Sequence, residues 1–257
     1  RDVERSRGLG DVYKRQTQIS GSKIFAAGMI LLAVGLLFKV GAVPFHNWTP
    51  DVYTGAPSPV TAFMSIATKM VAVLGLMRVM YVALGAMRWD WQLLLAVVAV
   101  ASMAVGAIVG LSQTDMKRML AYSSIAHAGF IMVGVVGAYT LQTGQRPDQT
   151  GSVSSVLIYL AGYGLATIGF FMVILMVRKA GGESTEIDSW AGLGRRHPML
   201  GALIVLFMLS FAGIPATAGF TGKLFVFLAG WRGGYAWLVL LGVIFSLGAA
   251  YFYLHVI

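Results

Sequence analysis

Residues 199–229 read MLGALIVLFMLSFAGIPATAGFTGKLFVFLA, and this stretch determines the class of fold. Lys223 is its only charged residue. As one α-helix it would be about 46 Å long, whereas the hydrocarbon core of a membrane is roughly 30 Å thick. Its middle contains residues that interrupt helices: Gly213, Pro215, Gly219 and Gly222. Because proline removes a backbone donor and clashes with the preceding turn, we predict a membrane span whose helix is broken.

The composition of the whole chain agrees with a membrane protein. Of its 257 residues 58% are hydrophobic and only 11% are charged, against roughly 25% charged residues in an ordinary soluble domain. A soluble fold of this length has too much surface to hide so many apolar side chains. The composition therefore excludes a soluble globular enzyme, and we predict an all-α, polytopic membrane helix bundle.

Seven apolar segments are long enough to be predicted membrane spans. Their approximate limits are 24–48, 59–82, 91–111, 119–140, 153–177, 199–229 and 234–257. Gly41 and Pro44 interrupt the first, so two spans are predicted to be broken. For a single break, a simple proline kink is the favoured explanation. Two breaks, each near a lysine, favour a functional interpretation, because paired broken helices indicate transport sites.

The loops predict an orientation. Loops after the first, third and fifth spans hold six basic residues, whereas the other loops hold three, or four if Arg78 near the end of the second span is counted. The positive-inside rule places the first set in the cytoplasm. The acidic residues beyond position 16 are all predicted to lie in loops: Asp51, Asp90, Asp115, Asp148, Glu183, Glu186 and Asp188.

The two ends of the sequence suggest a fragment. Residues 1–16 hold eight of the 29 charged residues, and we interpret them as a non-native or linker segment. A native loop between two helices is the alternative. Because the last apolar run ends at Ile257 without a polar tail, we expect the chain to be part of a longer protein.

Among the ionisable residues within the predicted spans, four are singled out: Lys39, Lys69, His127 and Lys223. A lysine at the bilayer centre costs about 2.5–3.5 kcal/mol on insertion scales, so such residues are functional candidates by default. Lys39 snorkelling to the interface and His127 as a packing residue are the alternatives. Arg78, near a span end, is expected to snorkel and receives no role.

Spacing adds to the case for these residues. Ser123 and His127 are four positions apart and share a helical face, while Tyr122 points to the neighbouring side. Lys39 and His46 are seven positions apart, although Pro44 disturbs that alignment. Burial disfavours the charged forms of lysine and histidine, so a water-linked row of them is a reasonable proton relay. The spans supply no carboxylate partner.

Other chemistries are excluded or poorly supported. The chain has no cysteine, which excludes disulfides, iron–sulfur clusters and thiolate zinc sites within it. It contains neither G-x-G-x-x-G nor a Walker A motif. Only His46 and His127 are plausible axial haem ligands, and no nucleophile–base set is evident. The basic residues are scattered, so a nucleic-acid partner is not expected.

Several longer motifs resemble those of a known family. Residues 44–57 (PFHNWTPDVYTGAP), 35–39 (GLLFK), 117–127 (KRMLAYSSIAH) and 219–223 (GFTGK) are similar, in the same order, to signature segments of the antiporter-like subunits of respiratory complex I. The D-V-Y-x-G-A-P ending resembles one branch of these subunits in particular. The resemblance extends from about residue 20 to the end.

The resemblance implies a fold and site residues. The family has fourteen transmembrane helices in two inverted five-helix repeats, each with a broken helix, and this chain would provide the seventh to thirteenth. Lys39 and Lys69 would match lysines of the first broken helix and the next helix. His127 and Lys223 would be central relay groups. His46 and Tyr122 match further polar residues of the family, so the implied proton-translocation residues are Lys39, His46, Lys69, Tyr122, His127 and Lys223.

The resemblance also implies a function. We expect residues 17–257 to be a partial proton-translocating transmembrane domain in a bacterial inner membrane, surrounded by lipid and by other membrane-arm subunits. NADH, FMN, iron–sulfur clusters and quinone would be used by partner subunits, with no cofactor in this chain. The family's glutamate partner would lie on a helix before this sequence. A cation/proton antiporter subunit and a structural membrane scaffold are the alternatives.

Overall fold

The fold is described from a computed structural model, which describes residues 23–139, 149–179 and 182–257. The segment 1–16 lies outside these residues. The α-helices are α1 (Lys23–Val40), α2 (Trp48–Gly55), α3 (Ser58–Arg78), α4 (Arg88–Gly110), α5 (Met116–Val136), α6 (Gln149–Met176), α7 (Leu193–Arg196), α8 (Pro198–Ala212), α9 (Ala218–Arg232) and α10 (Ala236–Val256). A π-helical turn (Val79–Ala83) continues α3, and 3₁₀ turns span Gly85–Met87 and Ile187–Trp190. Two short antiparallel strands, β1 (Arg178–Lys179) and β2 (Gly182–Glu183), follow α6.

Five helical segments are long and apolar enough to cross a membrane within the described ranges: Ser58–Ala83, Arg88–Gly110, Met116–Val136, Gly151–Met176 and Ala236–Val256. Two shorter apolar helices, Ala26–Val40 and Pro198–Ala212, occupy the first and sixth predicted spans. A second helix follows each of them after a short interruption. The predicted all-α, polytopic bundle with two broken helices is therefore confirmed.

The helix limits correct the placement of two acidic residues. Asp51 lies in the first turn of α2 and Asp90 in the first turn of α4, rather than in loops. Both positions suit a carboxylate, because the amino end of a helix carries a partial positive charge.

The first break follows Val40, where the backbone turns at Gly41 with φ 76°. The amides of Gly41 and Ala42 both donate to the carbonyl of Leu37, at 3.1 and 3.0 Å, which is how a glycine commonly closes a helix. A Cβ on Gly41 would lie 2.7 Å from Thr49 Oγ1. Since α1 ends here, Lys39 and His46 do not lie on one continuous helical face, in agreement with the disturbance expected at Pro44.

The second break lies between α8 and α9. Gly213 ends α8 with φ 79°, and its amide donates to the carbonyl of Leu209 at 3.0 Å. Thr217 caps α9 by accepting a hydrogen bond from the Phe220 amide at 3.3 Å. The Gly219 amide donates back to Ser210 Oγ at 3.1 Å. The two half-helices therefore stay in contact across the interruption, as required where backbone groups are hidden from water.

Helix α5 forms the centre of the described bundle and is buried along almost its whole length. Glycines let the helices in and around it approach closely. A Cβ on Gly106 of α4 would lie 2.5 Å from the amide nitrogen of Ala126, and a Cβ on Gly110 would lie 2.9 Å from the ring of Phe252. Side chains of α5 consequently reach several helices at once.

One end of the bundle is held together by ion pairs. Lys117 at the start of α5 contacts Glu183 of β2 at 2.6 Å, and Glu183 accepts a hydrogen bond from Ser58 Oγ at 2.6 Å. Arg118 pairs with Asp51 at 3.2 Å. These contacts join the loops after the first, third and fifth spans, which confirms that the three loops lie on one side. That this side is cytoplasmic stays a prediction.

Replacing Glu183 with glutamine is expected to destabilise the fold by about 1–3 kcal/mol at neutral pH, because it leaves the buried Lys117 ammonium without its ion-pair partner. Partial burial acts to raise the pKa of Glu183, but hydrogen bonds from Lys117 and Ser58 outweigh it and lower the pKa below its ordinary value. A carboxyl group with a lowered folded pKa stabilises the fold above its unfolded pKa of about 4.3, and this contribution is lost as the pH falls further.

Thermal unfolding in detergent, followed at about pH 7 and about pH 3.5, tests this expectation across the unfolded pKa. The glutamine variant should be less stable at the higher pH and should lose less stability on acidification than the unmodified chain. Glu186→Gln is the matched control, because the exposed Glu186 lies in the same loop. Equal acid sensitivity in the unmodified chain and the Glu183 variant would contradict the expected role of this carboxylate.

Candidate functional site

Lys69 lies near the middle of α3 and is buried, with 3% of its surface exposed. Its ammonium group donates to two oxygens of Ser124 on α5, the carbonyl at 2.6 Å and the hydroxyl at 2.5 Å. It also lies 5.5 Å from the ring centroid of Tyr163 on α6, within the range of a cation–π contact. The lysine is thus held by neutral groups, in the interior position predicted from the sequence.

Lys223 lies in α9, one turn after the second break, and is 4% exposed. Its ammonium group donates to the carbonyls of Phe211 and Ala212, at 2.9 and 2.8 Å, and to Ser246 Oγ at 2.8 Å. The last carbonyls of a helix have no partner within that helix and carry partial negative charge. The end of α8 therefore creates the acceptors that hold this cation.

His127 of α5 is buried between aromatic side chains. Its Nδ1 lies 2.6 Å from the hydroxyl of Tyr159, and its Nε2 lies 3.2 Å from the hydroxyl of Tyr253. The imidazole stacks on Tyr163 with centroids 4.4 Å apart. Tyr253 also lies 2.5 Å from Ser123 Oγ, so Ser123 and His127 share a helical face as predicted. Both ring nitrogens have hydrogen-bond partners, as buried polar groups normally do, so a role of His127 in a relay stays a prediction.

Aromatic rings connect the three buried groups in space. Tyr163 contacts both Lys69 and His127. Phe130 lies 5.1 Å from the Lys223 ammonium and 5.8 Å from the His127 ring. Among the described residues, no direct hydrogen bond joins His127 to either lysine. The order along the interior is Lys69, His127, Lys223.

A small cavity lies beside His127 at the second break. It has a volume of about 10 Å³ and is lined by residues that include Tyr159, Ser210 and Gly222. This volume is close to the least that one water molecule needs, and its lining includes polar atoms. The cavity is therefore at the lower limit of size for a single water molecule between the histidine and the break.

The other three predicted site residues lie outside this interior row. Lys39 is exposed in the last turn of α1. His46 is half-buried in the first break, and its Nδ1 has no hydrogen-bond partner among the described residues. Tyr122 is half-buried on α5. The structure thus brings together Lys69, His127 and Lys223 but not Lys39, His46 and Tyr122.

The polar groups that surround the interior row were not predicted from the sequence: Tyr53, Ser124, Tyr159, Tyr163, Ser246 and Tyr253. One signal was available. Tyr159 and Tyr163 are four residues apart in the middle of a span, whereas membrane tyrosines prefer the interfaces. Tyr253 and Ser246 gave no comparable signal, because their importance depends on how α10 is rotated.

The described residues hold no group of three or more histidine, cysteine, aspartate or glutamate side chains that could bind a metal ion. The buried polar groups instead form a row of cationic and phenolic side chains. With two broken helices around this row, the fold and site define a multi-pass helical membrane protein of the antiporter-like class.

The chain belongs to the NADH:quinone oxidoreductase/Mrp antiporter transmembrane family, whose model matches residues 8–248. It is 75% identical over 250 residues to NADH-quinone oxidoreductase subunit N of Cutibacterium acnes, an alignment that covers 97% of this chain and 46% of that protein. A similar relative is the subunit N of Rhodococcus opacus, with 49% identity over 97% of this chain and 44% of the relative. The resemblance predicted from the motifs is confirmed.

Solved structures share this fold. A chain of respiratory complex I from Thermus thermophilus matches with a TM-score of 0.75 and 35% identity, covering 91% of this chain and 49% of that one. A chain of the Mrp complex from Dietzia shares the fold, with a TM-score of 0.78 at 22% identity, covering 92% of this chain and 42% of that one. The chain spans about half the length of the relatives it matches. Bacterial relatives and apolar spans identify a multi-pass protein of the bacterial inner membrane.

Proposed function

We propose that this chain is part of a proton-translocating membrane subunit of NADH-quinone oxidoreductase. Quinone reduction in other subunits would drive proton movement through its buried lysines and histidines. The names of its relatives support this assignment. Residues 17–257 are then a partial translocating domain that contacts other membrane-arm subunits and lipid. NADH, FMN, iron–sulfur clusters and quinone are used by partner subunits, and this chain carries no cofactor.

One observation carries the proposal: two lysines are buried in the spans with neutral partners, and a histidine lies between them. The Lys69 ammonium contacts oxygens of Ser124, and the Lys223 ammonium contacts two carbonyls and a hydroxyl. Neutral oxygens stabilise an ammonium group less than a carboxylate does. Each lysine is therefore placed to exchange its proton rather than to be fixed in a permanent ion pair.

The proposed mechanism moves one proton along this row. Lys39, on the exposed face of α1, is stabilised by a carboxylate elsewhere in the full-length protein, as the resemblance implies. When that stabilisation is withdrawn, Lys39 releases its proton, which passes by Lys69 and His127 toward Lys223. Moving one charge against 100 mV requires about 2.3 kcal/mol. Since two pKa units correspond to roughly 2.7 kcal/mol, modest electrostatic changes are of sufficient size.

Replacing Lys69 with alanine in the full-length chain, within its assembled complex, is expected to stop proton movement through this path. The same result is expected for Lys39→Ala. NADH-driven proton pumping into membrane vesicles, divided by the electrons transferred, measures the effect. Arg78→Ala is the matched control on α3, because Arg78 is exposed near the end of that helix.

Each alternative predicts a different outcome. Unchanged pumping per electron in the Lys69 and Lys39 variants would overturn the relay assignment. Loss of assembly with normal pumping per assembled complex would favour a scaffold. Copurification without quinone-reductase subunits, together with cation-dependent proton exchange, would favour a separate antiporter, whose fold the Mrp similarity shows.

A further inference from the structure

Both nitrogens of the His127 imidazole face tyrosine hydroxyls that come from distant parts of the chain. Tyr159 lies on α6 and Tyr253 on α10, and each is at most 3% exposed. A neutral imidazole has one N–H donor and one acceptor nitrogen. Consequently one tyrosine donates to His127 while the other accepts from it, and the two contacts are chemically different.

The lengths of the two contacts indicate which tyrosine donates. The Tyr159 contact to Nδ1 is 2.6 Å, and the Tyr253 contact to Nε2 is 3.2 Å. Hydroxyl donors form shorter hydrogen bonds than N–H donors, for which distances up to about 3.2 Å are normal. Tyr159 therefore donates to Nδ1, and the proton of the neutral ring lies on Nε2 and points to Tyr253.

The Tyr253 hydroxyl extends this connection to a fourth group. It accepts from His127, so its own proton is free to be donated to Ser123 Oγ at 2.5 Å. Ser123 lies one turn before His127 on α5, and Tyr159 lines the cavity at the second break. The four groups thus lead from that break to a position nearer the amino end of α5.

We propose that Tyr159, His127, Tyr253 and Ser123 form a continuous proton wire, in which the two tyrosines are the groups that deliver protons to His127 and remove them. The proposal rests on the proposed function, since it specifies how His127 takes part in the relay. The lysines contact ring faces next to His127, and a ring face neither donates nor accepts a transferable proton. The tyrosine hydroxyls, in contrast, form hydrogen bonds with His127 through which a proton can be transferred.

Proton balance is maintained along the wire. A proton that arrives at Tyr159 Oη releases the original hydroxyl proton to Nδ1. The Nε2 proton then moves to Tyr253 Oη, the original Tyr253 proton moves to Ser123 Oγ, and the Ser123 proton leaves. One proton enters and one leaves, with no net change of charge on any group. His127 then carries its proton on Nδ1, and in this state the same four groups conduct a proton the other way, from Ser123 to Tyr159 and the second break. This second direction is that of the proposed relay toward Lys223.

Phenylalanine substitutions at the two tyrosines test the wire, because they remove the hydroxyls and keep the buried rings. We expect Tyr159→Phe and Tyr253→Phe, each in the full-length chain within the assembled complex, to slow proton pumping through this path about a hundredfold, the low end of the loss for a positioned acid–base group. The deuterium isotope effect on pumping should increase. Tyr251→Phe is the matched control, since Tyr251 is 68% exposed on the same helix.

A double-mutant comparison separates a wire from a packing role. If Tyr253 acts through His127, adding Tyr253→Phe to His127→Ala should have no further effect on pumping per assembled complex. Additive effects, or an unchanged isotope effect in the single variants, would overturn the wire. Normal pumping in both phenylalanine variants, with pumping lost in His127→Ala, would overturn the wire alone. Normal pumping in His127→Ala would overturn the proposed role of His127 and the wire with it.

Discussion

Replacing Lys223 with arginine is expected to stop proton pumping while the complex still assembles. An arginine at this position keeps the positive charge and can donate to the acceptors that Lys223 uses, the carbonyls of Phe211 and Ala212 and the hydroxyl of Ser246. A guanidinium group does not give up its proton in proteins. The variant therefore preserves the electrostatics of the second break and removes only the ability to exchange a proton.

The expected effect is large. Loss of a positioned proton-transfer group typically slows a reaction by about 10²–10⁴-fold, and we expect at least about a hundredfold slower transfer through this path. The measurement is NADH-driven acidification of vesicles, normalised to assembled complex. Arg78→Lys is the control, because it makes the opposite exchange at an exposed position.

A second substitution at position 223 guards against a purely steric effect. Lys223→Gln is smaller, still donates hydrogen bonds and carries no charge, so it should lose pumping as well. Wild-type pumping in the arginine variant would mean that Lys223 supplies only charge. Wild-type pumping in the glutamine variant would remove Lys223 from the path altogether.

Replacing Gly219 with alanine is expected to disrupt the fold at the second break. A Cβ at this position would lie 1.7 Å from the carbonyl oxygen of Ser210 and 2.7 Å from its carbonyl carbon, far inside the roughly 3.5 Å at which nonbonded heavy atoms attract each other. Both of these atoms belong to the backbone of Ser210, near the end of α8 that faces α9. The half-helices must therefore separate, which also moves Lys223 away from the carbonyls of α8.

We expect this substitution to cost at least about 3 kcal/mol, the upper part of the range for an overpacked interior. The lowered midpoint of thermal unfolding and the reduced yield of folded protein in detergent measure it. Gly248→Ala is the matched control: no heavy atom lies within 4 Å of the added Cβ, and alanine favours a helix by about 1 kcal/mol over glycine. A Gly219 variant as stable as the unmodified chain would contradict the close approach of α8 and α9.

The broken helices show which features local sequence predicts and which depend on tertiary packing. Gly213 and Pro215 predict an interruption because they act on the local backbone geometry. Their effect can therefore be predicted from residue type alone. The break makes the carbonyls of Phe211 and Ala212 available, but their occupation by Lys223 depends on how α9 turns back against α8. Sequence spacing does not specify that turn.

The sequence by itself determined the membrane class, the seven spans and the two breaks, since hydrocarbon requires every backbone group to be paired within helices. It also identified the candidate cations and, through long motifs, the family. Only the tertiary structure decided which of the candidate cations are buried close to one another. Lys69, His127 and Lys223 are buried together whereas Lys39 is exposed, and Tyr159 and Tyr253 reach His127 from α6 and α10. The physical reason is that side-chain contacts between helices depend on the rotation and depth of each helix, and these are set by packing across the whole bundle.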